Sequence, residues 1–138
     1  MIKTTPFAMV FIIRENMGKF LVRRTATGYK FDLLAANGQD IAASEVYETK
    51  AACVKGIRSV QKYAPVAKFL DLTRESPAVT NPRFELFCDK GGDYRFRLRS
   101  RNGAVIAVSA PYSGQSACEH GIESVRANAP EADIEEES

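Results

Sequence analysis

Asn37-Gly-Gln-Asp-Ile-Ala-Ala-Ser-Glu-Val-Tyr47, with Lys50-Ala-Ala-Cys-Val-Lys-Gly-Ile-Arg-Ser-Val60 close behind it, decides the fold because it occurs twice. The second copy reads Asn102-Gly-Ala-Val-Ile-Ala-Val-Ser-Ala-Pro-Tyr112, then Gln115-Ser-Ala-Cys-Glu-His-Gly-Ile-Glu-Ser-Val125. At a fixed offset of 65 residues, 18 of the 39 positions from Tyr29 to Ala67 are identical. In each copy Asn-Gly places two residues tolerant of positive φ side by side, which predicts a type I′ hairpin. A helix is predicted to follow, over about residues 50–64 and again 115–129. Thr49 is the expected N-cap of the first. Ala52, Gly56, Ile57, Val60 and Ala64 recur at spacings of three and four, one apolar face, and Pro65 stops the helix. In the second, Asn128 is the expected left-handed terminal residue before Pro130.

Outward from this core the pattern is of short strands. Residues 20–24, 29–34 and 41–44 precede the first helix, and 68–73 close the unit. Residues 84–88, 94–99 and 105–109 repeat the series, with 132–135 a weak closing strand. An apolar run at 7–14 reads as an extra N-terminal strand. Residues 74–82, with Pro77 and Pro82, read as a linker. Each copy is thus a meander, a helix and a last strand, an α+β arrangement. Repeat 1 covers about 19–73, repeat 2 about 83–134, and an acidic tail 131–138. A half of this size is marginal alone, so residues 1–138 are expected to form one pseudo-dimeric domain about a pseudo-twofold axis.

The Phe-x-Phe/Leu strand, Asn-Gly-x-x-Ile-Ala-x-Ser-x-x-Tyr and Ala-Cys-x-x-Gly-Ile-x-Ser-Val, each present in both copies, resemble the YegP-like family of small, mostly bacterial domains of unknown function. The resemblance covers residues 19–73 and 83–134. It implies tandem β(3)-α-β units joined into a single sheet, with the C-terminal strands exchanged between them. It brings no catalytic residues, since the family carries no established activity.

Composition is that of a globular domain, 45% apolar and 26% charged, and no apolar run approaches the roughly 20 residues of a membrane helix. A cytoplasmic chain without membrane attachment is expected. The three cysteines, Cys53, Cys88 and Cys118, are odd in number and read as free buried thiols. With one histidine, His120, whose repeat counterpart is Lys55, neither a metal site nor a cofactor is expected. The formal net charge is +2, yet the last eight residues carry five acids and no base; without them the rest carries +7.

The repeated helical glycines, Gly56 and Gly121, each forgo about 1 kcal/mol of helix propensity and imply a close approach to a neighbouring helix or the sheet. Ser44/Ser109 and Tyr47/Tyr112 recur, but no base stands in both copies to activate a nucleophile. Structural hydrogen bonding and packing are the expected roles, and no enzymatic activity is expected. Arg95, Arg97, Arg99 and Arg101 are the one chemically pointed feature. At period two at least the first three share a strand face opposite Tyr94, Phe96 and Leu98, so helices covering the aromatic face would leave the guanidiniums on the open one. There they are expected to bind anions or nucleic acid, with Phe87 as a stacking surface and the acidic tail as a tethered competitor. Solvated pairing with Glu85 or Asp89 is the plainer alternative. An interaction or oligomerisation module, assembled through the strand at 7–14, is the alternative function.

Overall fold

A computed structural model describes residues 18–137; the strand expected at 7–14 lies outside them. Two units of three strands, a helix and a strand follow one another. The first comprises β1 (Lys19–Arg24), β2 (Tyr29–Leu34), β3 (Asp40–Ala43), α1 (Lys50–Tyr63) and β4 (Lys68–Asp71). The second comprises β5 (Arg83–Cys88), β6 (Tyr94–Arg99), β7 (Val105–Val108), α2 (Gln115–Asn128), a short 3-10 turn (Ala129–Glu131) and β8 (Asp133–Glu136). All eight strands make one sheet in the order β4-β5-β6-β7-β3-β2-β1-β8. The pseudo-twofold axis passes between β3 and β7, which meet antiparallel at Ala43 and Val108. The terminal strands are exchanged: β4 runs parallel to β5 of the other repeat, and β8 parallel to β1.

Both helices cover the face bearing Phe20, Phe31, Leu33, Phe84, Phe96 and Leu98, all fully buried. The two halves of the core match in detail. Phe20 meets Phe31 edge-on at 5.6 Å between ring centroids, and Phe84 meets Phe96 in the same way at 6.0 Å. Each helix also reaches across the axis. The Gln61 side-chain amide donates to the Ala132 carbonyl at 3.2 Å, and Arg126, its counterpart, to the Ala64 carbonyl at 3.1 Å.

Several local expectations need correction. The Asn-Gly hairpins are not type I′, because among the described residues only glycines have positive φ. Gly38 lies at φ 87°, its N–H donating to the Ala35 carbonyl at 2.8 Å, while Ala35 N–H donates to Gln39. This is a type I turn closed by a glycine bulge. Asn37 contributes through its side chain instead, accepting from Gln39 N–H at 2.9 Å. Asn128 is right-handed, at φ −86°, because the chain runs straight into the 3-10 turn Ala129–Glu131 that holds Pro130. Cys53 and Cys118 are buried, and burial pushes their thiols up, that of Cys118 to about 11; Cys88, at the end of β5, is exposed. Thr49 caps α1 as expected, its hydroxyl accepting from Ala52 N–H at 3.1 Å.

The helical glycines make room for the tyrosine of their own repeat rather than for another helix. A Cβ on Gly56 would stand 2.3 Å from the Tyr47 hydroxyl, and one on Gly121 would stand 2.4 Å from that of Tyr112 and 2.9 Å from Phe96 Cε2. Each tyrosine is pinned from both sides. Its backbone exchanges hydrogen bonds with the first residue of the second strand (Tyr47 with Tyr29, Tyr112 with Tyr94), and its ring stacks on Phe31 or Phe96. We predict that Gly121→Ala costs about 1–3 kcal/mol through overpacking despite its gain in helix propensity, and Gly56→Ala less. In a Tyr112→Leu background the Gly121→Ala penalty should shrink. Urea denaturation of the four-member cycle checks this, and an additive cycle would show that the ring is not what the glycine accommodates.

Candidate anion-binding face

With both helices on the aromatic face, the side chains of Arg95, Arg97 and Arg99 stand on the open one. The ladder sets Glu85 of β5 directly opposite Arg97, and period two adds Arg83 and Phe87 to the same face. Glu85 is 1% exposed. Three guanidiniums enclose it: Arg83 Nη2 lies 2.7 Å from Oε2, while Arg97 Nε and Arg99 Nε lie 2.5 and 2.9 Å from Oε1. Burial alone would raise the carboxyl pKa, but the hydrogen bonds from Arg97, Arg83 and Arg99 hold it below its ordinary value. One carboxylate therefore stands against three permanent cations, and the cluster keeps a surplus of positive charge.

The contacts also fix orientation. Arg95 donates from Nε and Nη2 to the Ser109 carbonyl. Arg99 adds a bond from Nη1 to Gly103, and Arg83 one from Nη1 to Val79. Among the described residues Arg97 hydrogen-bonds through Nε alone, and its guanidinium lies over the Phe87 ring at 4.4 Å from the centroid. Phe87 is therefore covered by Arg97, not open as a platform by itself. Arg101 leaves the row: it sits exposed in the turn that joins β6 to β7. Asp89 is no partner of the row, since its carboxylate accepts from Gly91 and Asp93 N–H within its own turn.

The first repeat carries nothing comparable. By register, Leu21 stands where Glu85 does, Asp32 where Arg97 does, and Arg23 where Phe87 does. There Arg23 and the buried Asp32 form an ion pair at 2.6 Å. Asp40 beside them is raised to about 6 by partial burial and then by the Asp32 charge and hydrogen bond, against the pull of Arg23 and Lys30. The repeated serines have structural work. Ser44 Oγ accepts from Phe31 N–H and donates to the Glu45 carbonyl, and Ser109 does the same with Phe96 and Ala110.

The acidic tail does not compete for the row. Asp133–Glu136 is strand β8, five strand positions from β6, or about 24 Å. Its acids meet bases there: Glu135 pairs with Lys19 at 3.1 Å, and Glu136 with Lys50. Deleting residues 131–138 would remove a sheet strand rather than unmask a site. Sequence reasoning missed Arg83, although its place two residues before Glu85, on the same strand face, was the available signal. Among the described residues no group of three His, Cys, Asp or Glu could hold a metal ion, and no helix is long and apolar enough to cross a membrane.

A family model described as a domain of unknown function, DUF1508, matches residues 25–71 and again 89–136. A UPF0339 protein of Methanosarcina acetivorans is 56% identical over 52 residues, 38% of this chain and 90% of that one, the length of a single repeat. One of Photorhabdus laumondii is 38% identical over 109 residues, 78% of this chain and 83% of its own. The solution NMR structure of yegP from E. coli, a protein of unknown function, superposes with a TM-score of 0.71 at 28% identity, covering 86% of this chain and 91% of that one.

Proposed function

The chain belongs to the DUF1508 family, a domain of unknown function present here twice, and from that premise we propose that its open sheet face binds polyanions, nucleic acid among them. Arg95, Arg97 and Arg99 make the contacts in this reading, and Arg101 adds charge at the end of the row. The observation that supports it is the Glu85 cluster. A buried carboxylate holds three guanidiniums by one side, leaves the terminal groups of Arg97 without a protein partner among the described residues, and neutralises only one of three charges. Symmetry did not demand this, since the other repeat folds the same way around Leu21.

Fluorescence anisotropy with short DNA and RNA tests the reading. Affinity is expected to fall with salt at a log–log slope of about −2 to −4, for three or four phosphates contacted. Arg95→Gln with Arg101→Gln spares the Glu85 cluster and should weaken binding; adding Arg97→Gln and Arg99→Gln should weaken it further. Absence of binding at low salt would overturn the proposal. The alternative, a protein-interaction module, would then move ahead on the exposed Val66, Phe69 and Leu72 along edge strand β4. At the other edge, Glu131, Ile134 and Glu137 hold the corresponding places, so the apolar trio is particular to the β4 edge.

A further inference from the structure

Phe87 and Arg97 form a two-layer stack on the open face, the guanidinium carbon 4.4 Å above the ring centroid. The ion pair from Nε to Glu85 prevents the guanidinium from swinging away. A guanidinium so held is a flat, cationic plate with one side on an aromatic ring. Its other side suits another π-system, because aromatic rings and planar cations attract through quadrupole and charge. Arg97 keeps 26% of its side-chain surface accessible. Arg95 and Arg99 flank it at about 7 Å each along the strand, comparable with the step between successive phosphates of an extended single strand. The stack is private to the second repeat: the matching residues of the first, Arg23 and Asp32, pair as ions.

Resting on the polyanion reading, we infer that the ligand of this face is an unpaired nucleic-acid strand, one base of which seats on the outer side of the Arg97 guanidinium while adjacent phosphates engage Arg95 and Arg99. A paired base keeps its faces inside the stack and cannot offer one to the plate, whereas single strands stack readily on such platforms. The chemistry therefore separates unpaired strands from duplex and from polyanions without bases.

The test compares, by anisotropy at low salt, a roughly 10-nucleotide oligothymidylate with an abasic oligomer of equal charge and with duplex DNA of the same length. The base-bearing strand is expected to bind about tenfold more tightly than the abasic one, the worth of one stacked base, and more tightly than the duplex. Arg97→Lys keeps the charge but loses the plane, and should bring the base-bearing strand down to the affinity of the abasic one, abolishing the preference. An unchanged circular dichroism spectrum verifies that the variant is folded. Phe87→Leu, which removes the lower layer, should reduce the preference. Equal, salt-sensitive affinity for base-bearing and abasic strands, or tighter binding of duplex, would overturn the seated base and leave the arginine row standing. No binding by any of the three would overturn both.

Discussion

Glu85→Ala is expected to destabilise the fold by about 3 kcal/mol at neutral pH, the low end of the cost of orphaning a buried ion cluster. The low end applies because the arginines keep about a quarter of their side-chain surface in water, from 25% to 27%, whereas the carboxylate keeps almost none. Removing it leaves three cations facing one another on adjacent strands, with no anion among them. Glu85→Gln, which keeps the shape and one acceptor oxygen, should cost less. The pH dependence has a definite sign. The folded-state pKa lies below the ordinary 4.5, so the stabilisation is present above that value and is lost as the pH falls through the folded one. Urea denaturation of parent and variant should therefore show a wide gap at pH 7 that narrows steeply in acid. Equal midpoints at pH 7 would mean that the arginines are held apart by their backbone contacts, with Glu85 a bystander.

The second large effect concerns the exchanged strands. Residues 1–76 and 77–138, expressed separately, are not expected to fold as monomers. In the first piece β4 has lost β5, and in the second β8 has lost β1. The contacts of Gln61 with Ala132 and of Arg126 with Ala64 vanish as well. A unit of this size buries too little surface to absorb those losses. Each piece should be unfolded by circular dichroism, or form a dimer in sedimentation in which a second copy supplies the missing strand. A cooperative, monomeric half would overturn the shared-core account.

What could be read from the chain depended on whether a feature was local or paired. The repeat, the helices and their apolar faces followed from Tyr29 to Ala67 alone, because periodicity and capping act within a few residues. The turn type did not: Asn37-Gly38 fits two hairpin geometries, and the backbone chose the one in which only the glycine is left-handed. The glycines announced a close approach but not its partner, since Tyr47 and Gly56 face each other only after the strand-to-helix connection is built. The glutamates of residues 131–137 made the closing strand look weak. Lys19 and Lys50, distant in sequence, give two of those charges partners, and Ile134 packs against the core. The arginine row itself was legible from period two. Glu85 was legible too, as a cross-strand partner of the row; its burial among three guanidiniums was not, because that depends on how β5 and β6 align it with Arg97 and on Arg83 beside it.

The tandem linkage has a consequence beyond stability. A homodimer of a single repeat spells every residue twice, so its sheet face must look the same from either end. Joined in one chain, the halves are free to diverge while the scaffold stays symmetric. Here one half carries Glu85 with its arginines and Phe87, and the other has Leu21, Asp32 and Arg23 in the matching places. The open face has therefore gained a direction. Under the function proposed above, a strand laid across it would meet a basic end and a mixed end, and its own polarity, 5′ to 3′, would have something on the protein against which to be told apart.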